Sequence, residues 1–494
     1  MTEHARRSGV LPSWLASTLV LVTSGAVLVL ELLVVRLTAP YVGLTLETYT
    51  AAIGVALAAI AAGASAGGRL ADRSDPLRWL GPATALGGVL LLLARPLVLA
   101  VGPGFRGSGP VGTLVLVGLA AGPAAFVLST VPPGVIKLQL RALSETGATV
   151  GRLSAIGTLG ALAATFLTGF VLLSAFATST LLLLTGAVLV AGGLVLSVVQ
   201  ARLPLKRTGA IAVASLLAAS ALVLAQGPCE RETRYYCASV EADPLRESGR
   251  TLVLDGLRHS YVDLDDPAHL EFGYTQRIGE VLAVQPAGPL DALHLGAGGF
   301  TVPRHLAAVR PGSTSRVLEV DPQIPEIGRE RLGVDSVPDL DVVVGDARTA
   351  IAAEPEDAYD VVVGDAFGSL AVPWHLATAE MVSEVQRVLR PGGVYALNVI
   401  DNPPGAFVRA EIATLRAVFA HVIVLAPAAQ LAGDEGGNYI LVASDRRLPA
   451  NELAELAAEP ASVAYEQEAA RFAGDAQVLT DDDAPVDQLL TPYF

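Results

Sequence analysis

The chain has 494 residues, with 33 Lys+Arg against 48 Asp+Glu and a formal net charge of −15. Up to Gln226 there are 14 basic and 6 acidic residues; from Gly227 on there are 19 basic and 42 acidic. The acidic second half excludes a nucleic-acid-binding face, which needs Lys and Arg against phosphates. The only cysteines, Cys229 and Cys237, form no CxxC or Cys/His cluster, which argues against structural zinc.

The first half is apolar in long runs, and a helix needs ~20 apolar residues to cross a bilayer. Seven such runs are predicted, at about 13–36, 48–68, 79–101, 111–131, 153–175, 179–199 and 208–226. Residues 1–227 therefore read as an all-α transmembrane bundle. The first run is too long for a cleaved signal peptide and is followed by further spans. Glycines in the second and fifth spans (Gly54, Gly63, Gly67, Gly68; Gly157, Gly160, Gly169) suit close helix packing in lipid. Glu31 and Arg36, near the end of the first span, are expected near the membrane interface or paired with a neighbouring helix.

Basic residues in short loops set orientation. Arg6, Arg7, Arg69, Arg73, Arg78, Lys137, Arg141, Arg152, Arg202, Lys206 and Arg207 fall on one side, and Arg36, Arg95 and Arg106 on the other. The N-terminus is thus expected in the cytoplasm and, with seven spans, the C-terminal domain outside it; a change of one span reverses this. Cys229 and Cys237 would then lie where a disulfide can persist. Two free thiols are the alternative.

Residues 228–280 read as a small β subdomain, with strand-like Arg250–Leu254 and His259–Leu264 around the turn Asp255-Gly256, leaning over the open end of a sheet. From 281 to 494, strands and helices alternate. Strands are predicted at Leu290–Leu295, Arg316–Val320, Leu340–Val344, Tyr359–Val363, Gly393–Val399, His421–Leu425 and Asn438–Ala443. Helix Thr378–Leu389 and the turn Arg390-Pro391-Gly392 precede the fifth. Continuous Val/Leu strands between helices imply a parallel, Rossmann-like sheet buried on both faces, with a ligand at the carboxyl ends of its strands.

Those strand ends carry the candidate site. Gly296-Ala297-Gly298 lets the backbone approach a ligand closely. Glu319, about twenty residues on at the end of the next strand, is placed to accept both ribose hydroxyls of a nucleoside. Asp346, followed by Ala347, ends the third strand and suits an adenine amino group. Asp365 ends the fourth, where the reactive part of the ligand would lie. The order implies an adenosyl cofactor of the S-adenosylmethionine type, and no metal is expected.

The stretch Leu252–Val399 resembles the spermidine synthase (polyamine aminopropyltransferase) family. The matching residues are Leu254-Asp255-Gly256, Phe272-Gly273-Tyr274, the Gly296 loop, Val317 to Asp321, Gly345-Asp346-Ala347 and Tyr359 to Asp365. The closing Leu479–Pro485 stretch is similar to the end of membrane-fused members, as are Arg36, Ala39-Pro40 and Gly43, and Gly67-Gly68-Arg69-Leu70-Ala71-Asp72-Arg73. The resemblance implies the methyltransferase-type α/β fold and aminopropyl transfer from decarboxylated S-adenosylmethionine, rather than S-adenosylmethionine itself, to an amine, with Asp365 as base and Tyr274 as its partner. The chain departs from the family where an ammonium-binding Asp becomes Gly299, a second Asp becomes Gly368, and a Gln becomes His259.

His259, His375 and Trp374 are candidate substrate contacts; His269 is a fourth aromatic of the same region. The two alternatives are other chemistry on the same fold (methyl transfer, or cyclisation or isomerisation without consuming cofactor) and a non-enzymatic, transporter-like or sensing membrane protein. Expected partners are a small-molecule substrate, amine or other, and the lipid bilayer. Nucleic acid is excluded, and a homodimer is left open.

Overall fold

The computed structural model describes residues 11–140, 142–199, 205–225, 227, 229–367, 372–456 and 461–491. Arg6, Arg7, Arg141, Arg202 and Gly368 lie outside these. The chain divides into two compact units, Met1–Gly227 (with Phe494) and Pro228–Tyr493.

In the N-terminal unit, six helices among the described residues are long and apolar enough to cross a membrane. They are Ser13–Val42, Leu46–Arg73, Leu80–Phe105, Gly109–Gln139, Thr146–Leu172 and Thr178–Val199. Seven spans were expected. The seventh run does form a helix, Leu205–Leu224, but its described apolar stretch, Gly209–Leu224, is shorter than a full span. The helix packs against Leu80–Val101 and Thr178–Val199. The Arg95 guanidinium donates to the carbonyls of Leu222 and Ala225 at 2.9 and 2.7 Å, closing the helix end where carbonyls lack intrahelical partners.

The glycines divide by position. A Cβ on Gly63 would lie 2.3 Å from the Phe126 carbonyl, and one on Gly160 2.4 Å from that of Leu21. These contacts, with that at Gly67, are close backbone approaches that a side chain would block, whereas Gly157 packs against the side chains of Ser24 and Val20. Gly54, Gly68 and Gly169 face open space, so bundle packing does not explain them.

The C-terminal unit begins with a four-stranded antiparallel sheet in the order β1-β2-β3-β4: β1 (Arg231–Glu232), β2 (Cys237–Ala242), β3 (Gly249–Leu254) and β4 (Leu257–Asp263). β3 and β4 are joined by Asp255-Gly256, both at positive φ (51° and 80°), as a tight hairpin turn needs. Cys229 and Cys237 are disulfide-bonded.

An eight-stranded sheet follows: β5 (Asp291–Leu295), β6 (Thr314–Glu319), β7 (Leu340–Val344), β8 (Tyr359–Gly364), β9 (Leu389–Asp401), β10 (His421–Pro427), β11 (Gly437–Ser444) and β12 (Ala461–Ala464). Its spatial order is β12-β10-β11-β9-β8-β5-β6-β7. β7, β6, β5, β8 and β9 run parallel, whereas β11, β10 and β12 are joined by antiparallel pairings. The all-parallel expectation is therefore corrected. Only the short helix Ala428–Ala432 separates β10 from β11, too little for a crossover, which takes a dozen residues or more. The expected turn Arg390-Pro391-Gly392 sits inside β9, where the pairing with β8 shifts register.

Alternation sorts the core. Leu293, Leu295, Val362 and Leu397 face helices Ala379–Val388 and Ala406–Val418, while Ala292, Val361, Val363 and Ala396 face helix Gly273–Ala283. Both sheet faces are thus covered, and the carboxyl ends of the parallel strands remain open for function. The closing stretch acts as a pin: Thr378 donates to Asp481 at 2.7 Å, and Arg348 to the same carboxylate at 2.6 Å.

Candidate active site

A cavity of about 180 Å³ opens at the ends of β5, β6, β7 and β8. Its wall includes Gly296, Ala297, Gly298, Glu319, Asp346, Ala347, Asp365, His259 and His375. All of the residues expected to hold a cofactor therefore meet in one place. Tyr274 borders a recess on the far side of Asp365.

The Gly296 loop is shaped by a close approach. Gly296 has φ +93°, and a Cβ there would lie 2.5 Å from the Asp365 carbonyl. Only glycine fits, so the loop after β5 and the loop after β8 stay in contact.

The Glu319 carboxylate is 6 % exposed. One oxygen accepts from Ala297 N–H at 2.9 Å and the other from Asp321 N–H at 2.8 Å. Burial pushes its pKa up to about 7, against the opposing pull of these backbone donors. Asp346 caps the short helix Ala347–Ala350 by accepting from Arg348 N–H at 2.9 Å. Its second oxygen lies 3.0 Å from His375 Nε2. Each acid thus has a local structural task in addition to facing the cavity.

Asp365 is held differently, by side chains. Asn398 Nδ2 donates to it at 2.8 Å, and Asn438 Nδ2 donates in turn to Asn398 at 3.0 Å. The Tyr274 hydroxyl bonds to the same carboxylate and lies 3.2 Å from the His259 carbonyl oxygen. Burial raises Asp365 to about 6, while its two hydrogen-bond partners pull it down. Burial also holds His259 neutral, lowering its pKa to about 4.

Sequence reasoning missed Asn398, Asn438 and Tyr236. Asn398 is 2 % exposed within the otherwise apolar stretch 394–400 of β9; a polar residue in a buried run was the available signal. Tyr236 lines the cavity and donates to the Phe367 carbonyl at 2.8 Å. It stands on the hairpin that the disulfide closes. Trp374 is 51 % exposed and is not part of the cavity wall, although its ring meets that of His375 edge-on. His269 pairs with Glu271 at 3.0 Å, away from the cavity wall. No group of three His, Cys, Asp or Glu side chains among the described residues could hold a metal ion.

No family model matches the chain. It is 32 % identical over 133 residues to a polyamine aminopropyltransferase of Vibrio vulnificus, covering 26 % of this chain and 44 % of that protein. A probable polyamine aminopropyl transferase of Bifidobacterium longum is 31 % identical over 131 residues, covering 26 % of this chain and 29 % of that one. The chain thus spans less than half the length of these curated relatives. The crystal structure of a probable spermidine synthase from Corynebacterium glutamicum is 30 % identical, with a TM-score of 0.48. That match covers 53 % of this chain and 98 % of the other. Through its C-terminal unit the chain belongs to the spermidine synthase-like family, and its apolar N-terminal helices fit a membrane-fused form.

Proposed function

We propose that the chain is a membrane-anchored transferase that uses an S-adenosyl-type donor and moves an aminopropyl-type group to an amine. The observation that carries this is Asp365. It is a half-buried carboxylate held by Asn398 and Tyr274 at the reactive end of a cavity whose other end presents Glu319 and Asp346. The cavity fits a nucleoside with a cationic tail: acids stand at its two ends, and the Gly296 loop leaves room between. Glu319, with Ala297 beside it, would hold the ribose, and Asp346 the base.

When bound, the donor supplies a sulfonium-activated carbon and leaves as a neutral thioether. Asp365 takes the proton of the attacking amine, and Tyr274 and Asn398 fix the carboxylate in line with it. A pKa near 6 leaves Asp365 largely ionised at neutral pH yet basic enough to accept a proton. Methyl transfer is the second reading, favoured by glycine at position 299. Incubating the purified chain with S-adenosyl donors and a panel of amines, and measuring methylthioadenosine against S-adenosylhomocysteine, separates the two. Release of neither nucleoside would sink both.

We further place the C-terminal unit outside the cytoplasm. The loop-charge bias supports an internal N-terminus. Arg95 stands near the C-terminal end of helix Leu80–Val101 and caps the C-terminal end of Leu205–Leu224. The two helices therefore run the same way, and the last one acts as a seventh pass despite its length. The Cys229–Cys237 disulfide suits an oxidising compartment. C-terminal alkaline phosphatase and fluorescent-protein fusions report the side. A bright fluorescent fusion without phosphatase activity would reverse the assignment.

A further inference from the structure

The N-terminal unit holds a cavity of about 390 Å³ between helices Ser13–Val42, Leu46–Arg73, Gly109–Ser129, Val131–Gln139 and Thr146–Leu167. That volume is in the range of small-molecule sites. Val20, Val27, Leu28, Ile60 and Leu128 give it an apolar wall, and no charged side chain lines it. Ser154 and Thr158, on Thr146–Leu167, are exposed as well as lining, so the cavity opens on that side of the unit.

The polar part of the wall is unsatisfied. Thr23 donates to the Leu19 carbonyl at 2.8 Å, but the hydroxyls of Ser24, Ser129, Ser154 and Thr158 have no hydrogen-bond partner among the described residues. Ser129 is 7 % exposed. A helical serine ordinarily bonds back to its own helix, and a buried hydroxyl that does not is costly unless a ligand meets it. The backbone adds acceptors. The apolar span Gly109–Gln139 is interrupted at Thr130. Pro132 and Pro133 follow the break and have no N–H, so the carbonyls of Leu128 and Ser129, four residues back, lose their helical donors. All four of these residues line the cavity. Interrupted backbone at membrane depth is tolerated where it lines a cavity, and there it supplies ligand contacts.

Glu31 stands one helical turn beyond Val27 and Leu28 on the same face of Ser13–Val42. It lies well inside that 30-residue helix, is half-buried, and has no hydrogen bond or ion pair among the described residues. The expected pairing with a neighbouring helix is therefore not found. A carboxylate within an apolar span calls for a counter-charge.

We propose that this cavity binds a small primary ammonium cation with an apolar body. An ammonium carries only donors, which the hydroxyls and the two proline-freed carbonyls accept, and its charge offsets Glu31. A carboxylate carries only acceptors and would face those carbonyls and a like charge. The proposal rests on reading the N-terminal unit as membrane-spanning, and it is independent of the S-adenosyl reading of the C-terminal unit.

Cys229 and Cys237 are the only cysteines of the chain and are bonded to each other. Ser154→Cys in the full-length protein, held in lipid nanodiscs, therefore places a single free thiol at the cavity opening; Thr158→Cys is the second reporter should the first fail to fold. The rate of modification by methyl methanethiosulfonate is measured with hexylamine, hexanol or hexanoate, which share a chain and differ at the polar end. Hexylamine should slow labelling roughly tenfold at about ten times its dissociation constant, as mass action requires, and the other two should not. Adding Glu31→Gln should weaken the protecting affinity by about tenfold, the scale of a charge-assisted contact. Equal protection by hexanol overturns the cation site, as does protection unchanged by Glu31→Gln, or hexylamine that leaves the reporters unprotected. If carbonate extraction releases the chain from membranes, the membrane reading itself fails and the site falls with it; an embedded chain without amine-selective protection sinks the site alone.

Discussion

The two ends of the cleft hold their acids by opposite means. At the end proposed for the nucleoside, Glu319 and one oxygen of Asp346 are fixed by backbone N–H groups of their own and neighbouring loops, with His375 at the other Asp346 oxygen. At the reactive end, Asp365 is fixed by side chains from other elements: Asn398 on β9 and Tyr274 on helix Gly273–Ala283. Backbone-held acids follow from the fold, because any residue supplies the N–H. Side-chain-held acids must be specified residue by residue. On the proposed reading, the difference teaches that a nucleoside end can persist while chemistry changes, with function tuned at the Asp365 end.

The largest expected effect separates the two ends directly. Asp365→Asn keeps an acceptor oxygen for Asn398 but removes the proposed base. Turnover should fall by about 10²–10⁴-fold, while affinity for an S-adenosyl ligand stays near wild type. Glu319→Ala should do the converse, weakening ligand affinity by about 1.5–3 kcal/mol for the lost charged contact. Titration calorimetry and single-turnover kinetics on both variants report the split. If Asp365→Asn lost affinity as much as Glu319→Ala does, the division between the ends would not hold.

The hairpin of Tyr235 and Tyr236 forms part of the nucleoside wall and is closed by Cys229–Cys237. The paired Cys229→Ser, Cys237→Ser variant frees that hairpin. It should lower stability by about 2–3 kcal/mol and weaken the nucleoside ligand several-fold, with turnover at saturating ligand nearly unchanged. A loss of turnover at saturation would mean that the hairpin reaches the reactive end as well.

What could be read beforehand follows the same line. The Gly296 loop, Glu319, Asp346 and Asp365 were legible because each ends a strand, and a strand end is visible in a single sequence. Asn398 was not, because the register that sets β9 beside β8 joins residues 33 positions apart. The antiparallel β10–β12 edge was misjudged because buried parallel and antiparallel strands have the same Val/Leu content; only the short β10–β11 connection distinguishes them. In the N-terminal unit, apolar runs gave the helices directly. The status of the last one turns on a few residues of length and on Arg95, a contact between positions more than a hundred residues apart.

The smallest expected effect is also the most diagnostic of how Asp365 is held. Its pKa stands at about 6 because burial raises it and the hydrogen bonds from Asn398 and Tyr274 lower it. Asn398→Ala removes one lowering contact and leaves the burial, so the pKa should rise further. As a base, Asp365 works only when ionised, so the acid limb of kcat/KM should move from near pH 6 towards neutrality, while the high-pH plateau falls only modestly. Stability follows the same proton. The folded-state value lies above the ordinary 3.8, so the folded protein holds this proton to higher pH than the unfolded chain does. The contribution of Asp365 to stability is therefore fully present below about pH 4 and is lost as pH rises through about 6. In Asn398→Ala that loss should extend to higher pH, which a series of denaturation midpoints from pH 4 to 8 would reveal. An unmoved acid limb together with unmoved midpoints would mean that Asn398 packs beside Asp365 without setting its charge.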